Sequence, residues 1–172
     1  MVPNVITSSG PGDLFTVRTI GALVPEHAGH EGAGEATLAA VEYAVLALGV
    51  RHVVVCGHTD CGAMRALAGG VGDTPMPAVT AWLRHGAPVL AAGADSRQPD
   101  EPGPGRGRGA LDTLRRNPTV APALRAGTLD LTGLLFDIGA ASCLVLDERT
   151  GAFEESPSID LRTPSQQPVA GN

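Results

Sequence analysis

Val53-Val54-Val55-Cys56-Gly57-His58-Thr59-Asp60-Cys61-Gly62-Ala63-Met64 is the most informative run in the chain. Three β-branched apolar residues lead into Cys56 and Gly57, the composition of a buried strand. A His and a Cys three positions apart follow, then Gly-Ala and Met64-Arg65-Ala66-Leu67, which continues as a helix. The strand therefore ends near Gly57, and a tight loop carries an imidazole and a thiol to its C-terminal end. In an open α/β sheet, sites form at the carboxyl ends of strands. His and Cys are both zinc ligands, so this loop is half to two-thirds of a zinc site.

His-x-x-Cys alone is a weak pattern, but the whole string Val-Val-Cys-Gly-His-Thr-Asp-Cys-Gly-Ala-Met resembles the zinc loop of the β-class carbonic anhydrases. The resemblance implies that His58 and Cys61 bind Zn²⁺. It assigns no ligand role to Cys56, whose plain reading is a small buried strand residue. Asp13-Leu14-Phe15-Thr16-Val17-Arg18-Thr19-Ile20 reads as a mostly buried strand. With Pro11-Gly12 before it and Gly21 after, it resembles the family's segment ending Arg-Asn-x-Gly-Asn, with Thr19 and Ala22 in place of the two Asn.

The rest of the chain fits one α/β domain. Its 172 residues suffice for a single core, and 43% are hydrophobic. A net charge of −6 with no dense basic cluster argues against nucleic acid as a partner. No apolar run is as long as a membrane span. Three unevenly placed cysteines suit a reducing, cytoplasmic compartment better than a disulfide framework.

Leu38, Val41, Val45 and Leu48 recur at helical spacing over Glu35 to Leu48, with Gly49 as the stop. A second helix spans about Pro77 to Leu90. Residues 94–109, rich in Gly and Pro, read as a mobile loop in which Arg106 and Arg108 are solvated. Short helices over Ala110–Arg116 and Pro118–Arg125 break at Asn117-Pro118. Strands over Leu129–Ile138 and Ser142–Asp147, joined through Gly139, form an antiparallel hairpin that resembles the family's closing pair. The expected fold is a mainly parallel β-sheet flanked by helices with this C-terminal hairpin. The domain covers 1–154, and 155–172 is a Ser/Pro/Gln-rich disordered tail.

Other candidate ligands have plainer readings. His27 and His30 lie in a Gly-rich polar loop, His52 and His85 read as structural or surface residues, and Cys143 is a strand bystander. Four residues lie between Cys56 and Cys61 rather than two, which disfavours a redox pair.

Carbonic anhydrase chemistry is the hydration of CO₂, which needs hydroxide at neutral pH. Zinc lowers the pKa of water from about 15.7 to about 7, a magnitude taken from carbonic anhydrases with three histidine ligands. The helix after Cys61 would present its first N–H groups to an anionic sulfur and to bicarbonate. In the β family a Cys-x-Asp-Ser-Arg motif supplies the remaining cysteine ligand, and its Asp–Arg pair organises the water. Met1-Val2-Pro3 aligns just downstream of that motif. The resemblance thus implies a chain without the family's first strand, third zinc ligand and Asp–Arg pair, leaving its catalytic residues unassigned. Asp95-Ser96-Arg97 repeats three letters of the motif, but Gly93 stands at the Cys position.

The expected function is reversible CO₂ hydration with Zn²⁺ as cofactor, CO₂ and bicarbonate as ligands, and a homodimer or higher oligomer as the assembly. Residues 1–172 alone are expected to turn over slowly. The alternative is an impaired carbonic-anhydrase-like remnant acting as a binding or assembly module. Pro3 to Arg18 also resembles anhydrase domains fused behind SulP-type anion transporters.

Overall fold

The computed structural model describes residues 2–27, 34–69, 75–87, 89 and 105–155. Val53–Val55 form the heart of β1 (His52–His58), and the C-terminal hairpin supplies β2 (Asp130–Asp137) and β3 (Ser142–Leu146). A short β4 (Phe153–Glu155) completes a sheet of order β1-β2-β3-β4. β1 and β2 run parallel, from His52 opposite Asp130 to His58 opposite Phe136. The other two pairs are antiparallel, so the sheet is mixed.

A parallel pair needs a long crossover. Here it runs through α3 (Gly62–Ala68), α4 (Pro77–Leu83), α5 (Gly105–Arg116) and α6 (Val120–Arg125). Before β1 come α1 (Pro3–Ile6) and α2 (Glu35–Glu42). Among the described residues, no helix is long and apolar enough to cross a membrane.

Strand alternation divides β1 into two faces. Val53 and Val55 join Leu111 and Leu114 of α5, Val120 of α6, and Leu129 and Leu146 in the main core. His52, Val54, Cys56 and His58 point the other way. A second core of Leu23, Leu67, Leu83 and Val89 gathers α3 and α4 around the 20–23 turn. That turn fits closely on α3. Gly21 has φ +75°, and a Cβ there would stand 3.0 Å from Met64 Cε and 3.1 Å from the Ala63 Cβ. The Trp82 indole N–H donates to the Ile20 carbonyl at 2.7 Å, tying α4 to the same turn.

Several sequence expectations are corrected. Residues 13–20 form no strand. Leu14 to Thr19 joins no ladder, Ile20–Ala22 is a 3-10 turn, and Phe15, Val17 and Ile20 are exposed. A strand holds when a neighbour satisfies its N–H and C=O groups. Without one the segment stays at the surface, where water can hydrate its backbone. Among the described residues β1 pairs on one side only.

The helix from Glu35 changes at Tyr43 into a π-helical turn ending at Ala47. The extra residue per turn rotates the apolar face. Val41 and Val45 still meet the core, while Leu48 is exposed.

α5 begins at Gly105, inside the expected loop, and residues 94–104 lie outside the described residues. Glu155 belongs to β4 rather than to a tail, and 156–172 lie outside the described residues. Pro88 and Leu90 also lie outside them.

Candidate metal centre

β1 delivers His58 to the C-terminal end of the sheet, and the next three residues form a clamped turn. The Thr59 N–H donates to the Phe136 carbonyl at 3.0 Å, extending the β1–β2 ladder by one step. The Thr59 hydroxyl accepts the Ile138 N–H at 2.9 Å. Asp60 then takes φ +56°, a left-handed conformation that Asp tolerates better than most residues. This reverses the chain so that Cys61, extended at φ −75° and ψ 113°, becomes the N-cap of α3.

His58 is half-buried, and its Nδ1 lies 2.7 Å from the Thr59 carbonyl oxygen. A carbonyl only accepts, so Nδ1 is the donor, and in the neutral ring Nε2 is the nitrogen with the lone pair. A metal-binding histidine is commonly held in this way, with one nitrogen donating to a carbonyl and the other on the metal. Cys61 is buried and free of any disulfide. Asp60 and Arg65 approach at 3.4 Å with both side chains well exposed, an ion pair that adds little to stability.

The other sequence candidates fall elsewhere. Cys56 shares a β1 face with His58, but burial, and secondarily the neighbouring Cys143, push its thiol up to about 11. Burial thus disfavours its thiolate, the form that binds a metal. Cys143 lies opposite Phe136, which lies opposite His58. Cys143 thus sits two strands from the site, closer than its distance in sequence suggests.

His52 begins β1 at the far end of the sheet, where its Nε2 is buried without a hydrogen-bond partner among the described residues. His85 meets Trp82 edge-on with ring centroids 5.2 Å apart. His27 is exposed, and His30 and Asp95-Ser96-Arg97 lie outside the described residues. Arg108 is not a solvated linker residue. Its guanidinium donates to the Glu148 carbonyl and fastens α5 to the β3–β4 turn. The side chain of Arg106 is outside the description.

The donor chemistry of His58 and Cys61 suits zinc. Among the described residues no three His, Cys, Asp or Glu side chains converge on a metal-sized site. Sequence reading missed Thr59, which looks like a spacer between ligands. Its contacts come from β2 and the start of the hairpin loop, and nothing local announces them.

The chain matches the family model described as carbonic anhydrase over residues 1–143. It is 36% identical over 165 residues to a carbonic anhydrase of Pseudomonas aeruginosa, covering 89% of this chain and 71% of the relative. It is 35% identical over 179 residues to carbonic anhydrase 1 of Escherichia coli O157:H7, covering 99% and 80%. The β-carbonic anhydrase CcaA superimposes with a TM-score of 0.77 at 28% identity, over 91% of this chain and 78% of that one. One of two tetrameric β-carbonic anhydrases from Sordaria macrospora gives 0.63 at 27% identity, over 84% and 73%. These relatives carry the names of enzymes, which favours catalysis over the binding-module alternative.

Proposed function

The chain belongs to the β-class carbonic anhydrase family, and from that premise we propose that it catalyses zinc-dependent, reversible hydration of carbon dioxide to bicarbonate and a proton. His58 and Cys61 are the proposed zinc ligands. The observation that carries this reading is the His58 ring. Its Nδ1 is engaged by the Thr59 carbonyl, which reserves Nε2 beside the loop that ends in the buried Cys61.

Zinc bound there supplies hydroxide at working pH. The protein's own task is to hold two donors still. His58 is oriented by the Thr59 carbonyl, and Cys61 is placed by the start of α3. A catalytic zinc takes three protein ligands and keeps one position open. Two of the three are proposed from this chain. The family's Cys-x-Asp-Ser-Arg motif does not occur in its 172 residues.

A homodimer or larger assembly is part of the proposal. Phe15, Val17, Tyr43 and Leu46 are exposed, and the Phe15 and Tyr43 rings lie 6.0 Å apart, an apolar surface of the kind that assembly covers. A reducing cytoplasm would keep Cys61 available as a thiol. Light scattering on the purified protein tests the assembly.

Metal analysis and stopped-flow CO₂ hydration test the chemistry. The expected result is zinc bound by the wild type, lost in both His58→Ala and Cys61→Ser, with hydration above background that disappears with the metal. A protein without zinc, in which His58→Ala changes nothing, would overturn the proposal.

A further inference from the structure

We propose that Thr59 is a positioning residue that locks the tautomer of His58 by coupling the ligand loop to the β2–β3 hairpin. The inference deepens the proposed function, since it takes His58 as a ligand. Three contacts meet at this one residue. Its carbonyl oxygen lies 2.7 Å from His58 Nδ1. Its N–H donates to the Phe136 carbonyl at 3.0 Å. Its hydroxyl accepts the Ile138 N–H at 2.9 Å, across 79 positions of sequence.

The carbonyl that orients His58 belongs to a peptide unit with its own freedom to turn. Asp60, the next residue, is held at φ +56°, which fixes one side of that peptide. The other side is fixed only if the Thr59 backbone cannot swing away from β2. The N–H bond to Phe136 supplies one anchor, but a ladder's last bond is prone to fray. The hydroxyl bond to Ile138 supplies the second anchor two residues further along the hairpin. Two anchors, one on β2 and one just beyond its end, define the direction of the carbonyl, where one would leave a hinge. A hydroxyl is required because the Ile138 N–H sits at the strand end, beyond the β2–β3 ladder, which starts at Asp137 opposite Ser142. Thr supplies it while keeping the β-branched stiffness that suits an extended backbone.

Groups that orient a metal-binding histidine typically contribute 10–100-fold to metal affinity. The test compares Thr59→Val, which keeps the shape and removes the hydroxyl, with Thr59→Ser, which keeps the hydroxyl. Two measurements are made on each: imidazole ¹⁵N shifts of the metal-free protein at a pH where the ring is neutral, and zinc affinity by chelator competition. His58 is identified among the five histidines by its loss in His58→Ala.

The wild type should show the Nδ1–H form. Thr59→Val should show a mixture of tautomers and bind zinc about 10-fold more weakly, and Thr59→Ser should restore both. Should Thr59→Val not fold, Thr59→Ala against Thr59→Ser makes the same comparison. Wild-type tautomer and affinity in Thr59→Val, or failure of Thr59→Ser to restore them, would overturn the inference while zinc binding through His58 stood. If the wild type bound no zinc yet its tautomer were locked and then released in Thr59→Val, the metal reading would fall and the positioning role would hold.

Discussion

Gly86 lies against Leu67 with no room for a side chain: a Cβ on Gly86 would stand 2.5 Å from Leu67 Cδ1 and 2.6 Å from Cδ2. Leu67 is 4% exposed and enclosed with Leu23, Leu83 and Val89, so it has little space into which to retreat. It also lies on α3, the helix that begins at Cys61. The Gly86 contact therefore helps set how close α3 comes to α4, and with it where the thiol stands. Gly86→Ala should destabilise the protein by about 1–3 kcal/mol through overpacking, measured by urea unfolding. Combined with Leu67→Ala, which empties the contested space, its cost should shrink below the sum of the two single changes. A neutral Gly86→Ala with strict additivity would show that the contact carries no weight.

Cys56 predicts a loss of stability in alkali. The folded thiol titrates near 11 and the unfolded one near 9.0. Between those values the unfolded chain releases its proton while the folded chain keeps it, so stability falls as pH rises from about 9 to 11 and is untouched below that window. The loss should be on the order of 2 kcal/mol. Cys56→Ala, whatever its baseline, should lack this Cys56-dependent slope. Urea midpoints at several alkaline pH values check it, and an unchanged slope in the variant would refute the assignment.

The elements that the sequence makes legible are those whose signals are local. Val53-Val54-Val55 marks β1, and Gly69 caps the end of α3. Asn117-Pro118 breaks the two helices. The Asn117 carboxamide oxygen accepts the Thr119 and Val120 N–H groups at 2.9 and 3.3 Å, which starts α6. What escaped reading depends on partners distant in sequence. Leu14 to Ile20 has strand composition but, among the described residues, no neighbouring strand to pair with. Gly105, Gly107 and Gly109 each weaken a helix by about 1 kcal/mol, yet α5 runs through them, continuous with the buried Ala110, Leu111 and Leu114. β4 has three residues and depends on the turn before it, where the N–H of Arg149 meets the Asp147 carboxylate at 2.8 Å and holds it below its ordinary pKa. At the candidate site the two donors were legible from residue type and spacing. The clamp on them was not, because Phe136 and Ile138 are far along the chain.

The β2–β3 loop offers a stabilising change. Ala141 is exposed and sits at φ +52°, a conformation that costs a residue with a Cβ about 1–2 kcal/mol. Earlier in the same loop, the Asp137 carboxylate accepts the Gly139 and Ala140 N–H groups at 2.8 and 3.0 Å, so the turn is set independently of Ala141. Ala141→Gly removes the strain but adds freedom to the unfolded chain, worth roughly 0.4–1 kcal/mol in the opposite direction. The net expectation is a gain of about 0.5 kcal/mol. Asn, which also tolerates this region, should do at least as well. Thermal unfolding decides it, and a lowered melting temperature in both variants would mean that the turn is not strained.

Zinc should raise the melting temperature of the wild type, and the pattern across variants identifies its ligands. A metal that binds only the folded state stabilises by mass action, by about 2.7 kcal/mol at a free concentration 100 times the dissociation constant. His58→Ala removes the Nε2 lone pair that the Thr59 carbonyl reserves, and Cys61→Ser removes the buried sulfur. Each should abolish the zinc-dependent shift whatever it does to the zinc-free baseline. Cys56→Ala should retain the shift in full, because at neutral pH that thiol holds its proton and is engaged on the sheet face rather than in the loop. Reading the shift rather than the absolute melting temperature separates ligation from packing. The informative contrast is between two cysteines five positions apart. If Cys56→Ala lost the shift and Cys61→Ser kept it, the metal would sit on β1 itself, and the loop from Thr59 to Cys61 would have a purely structural role.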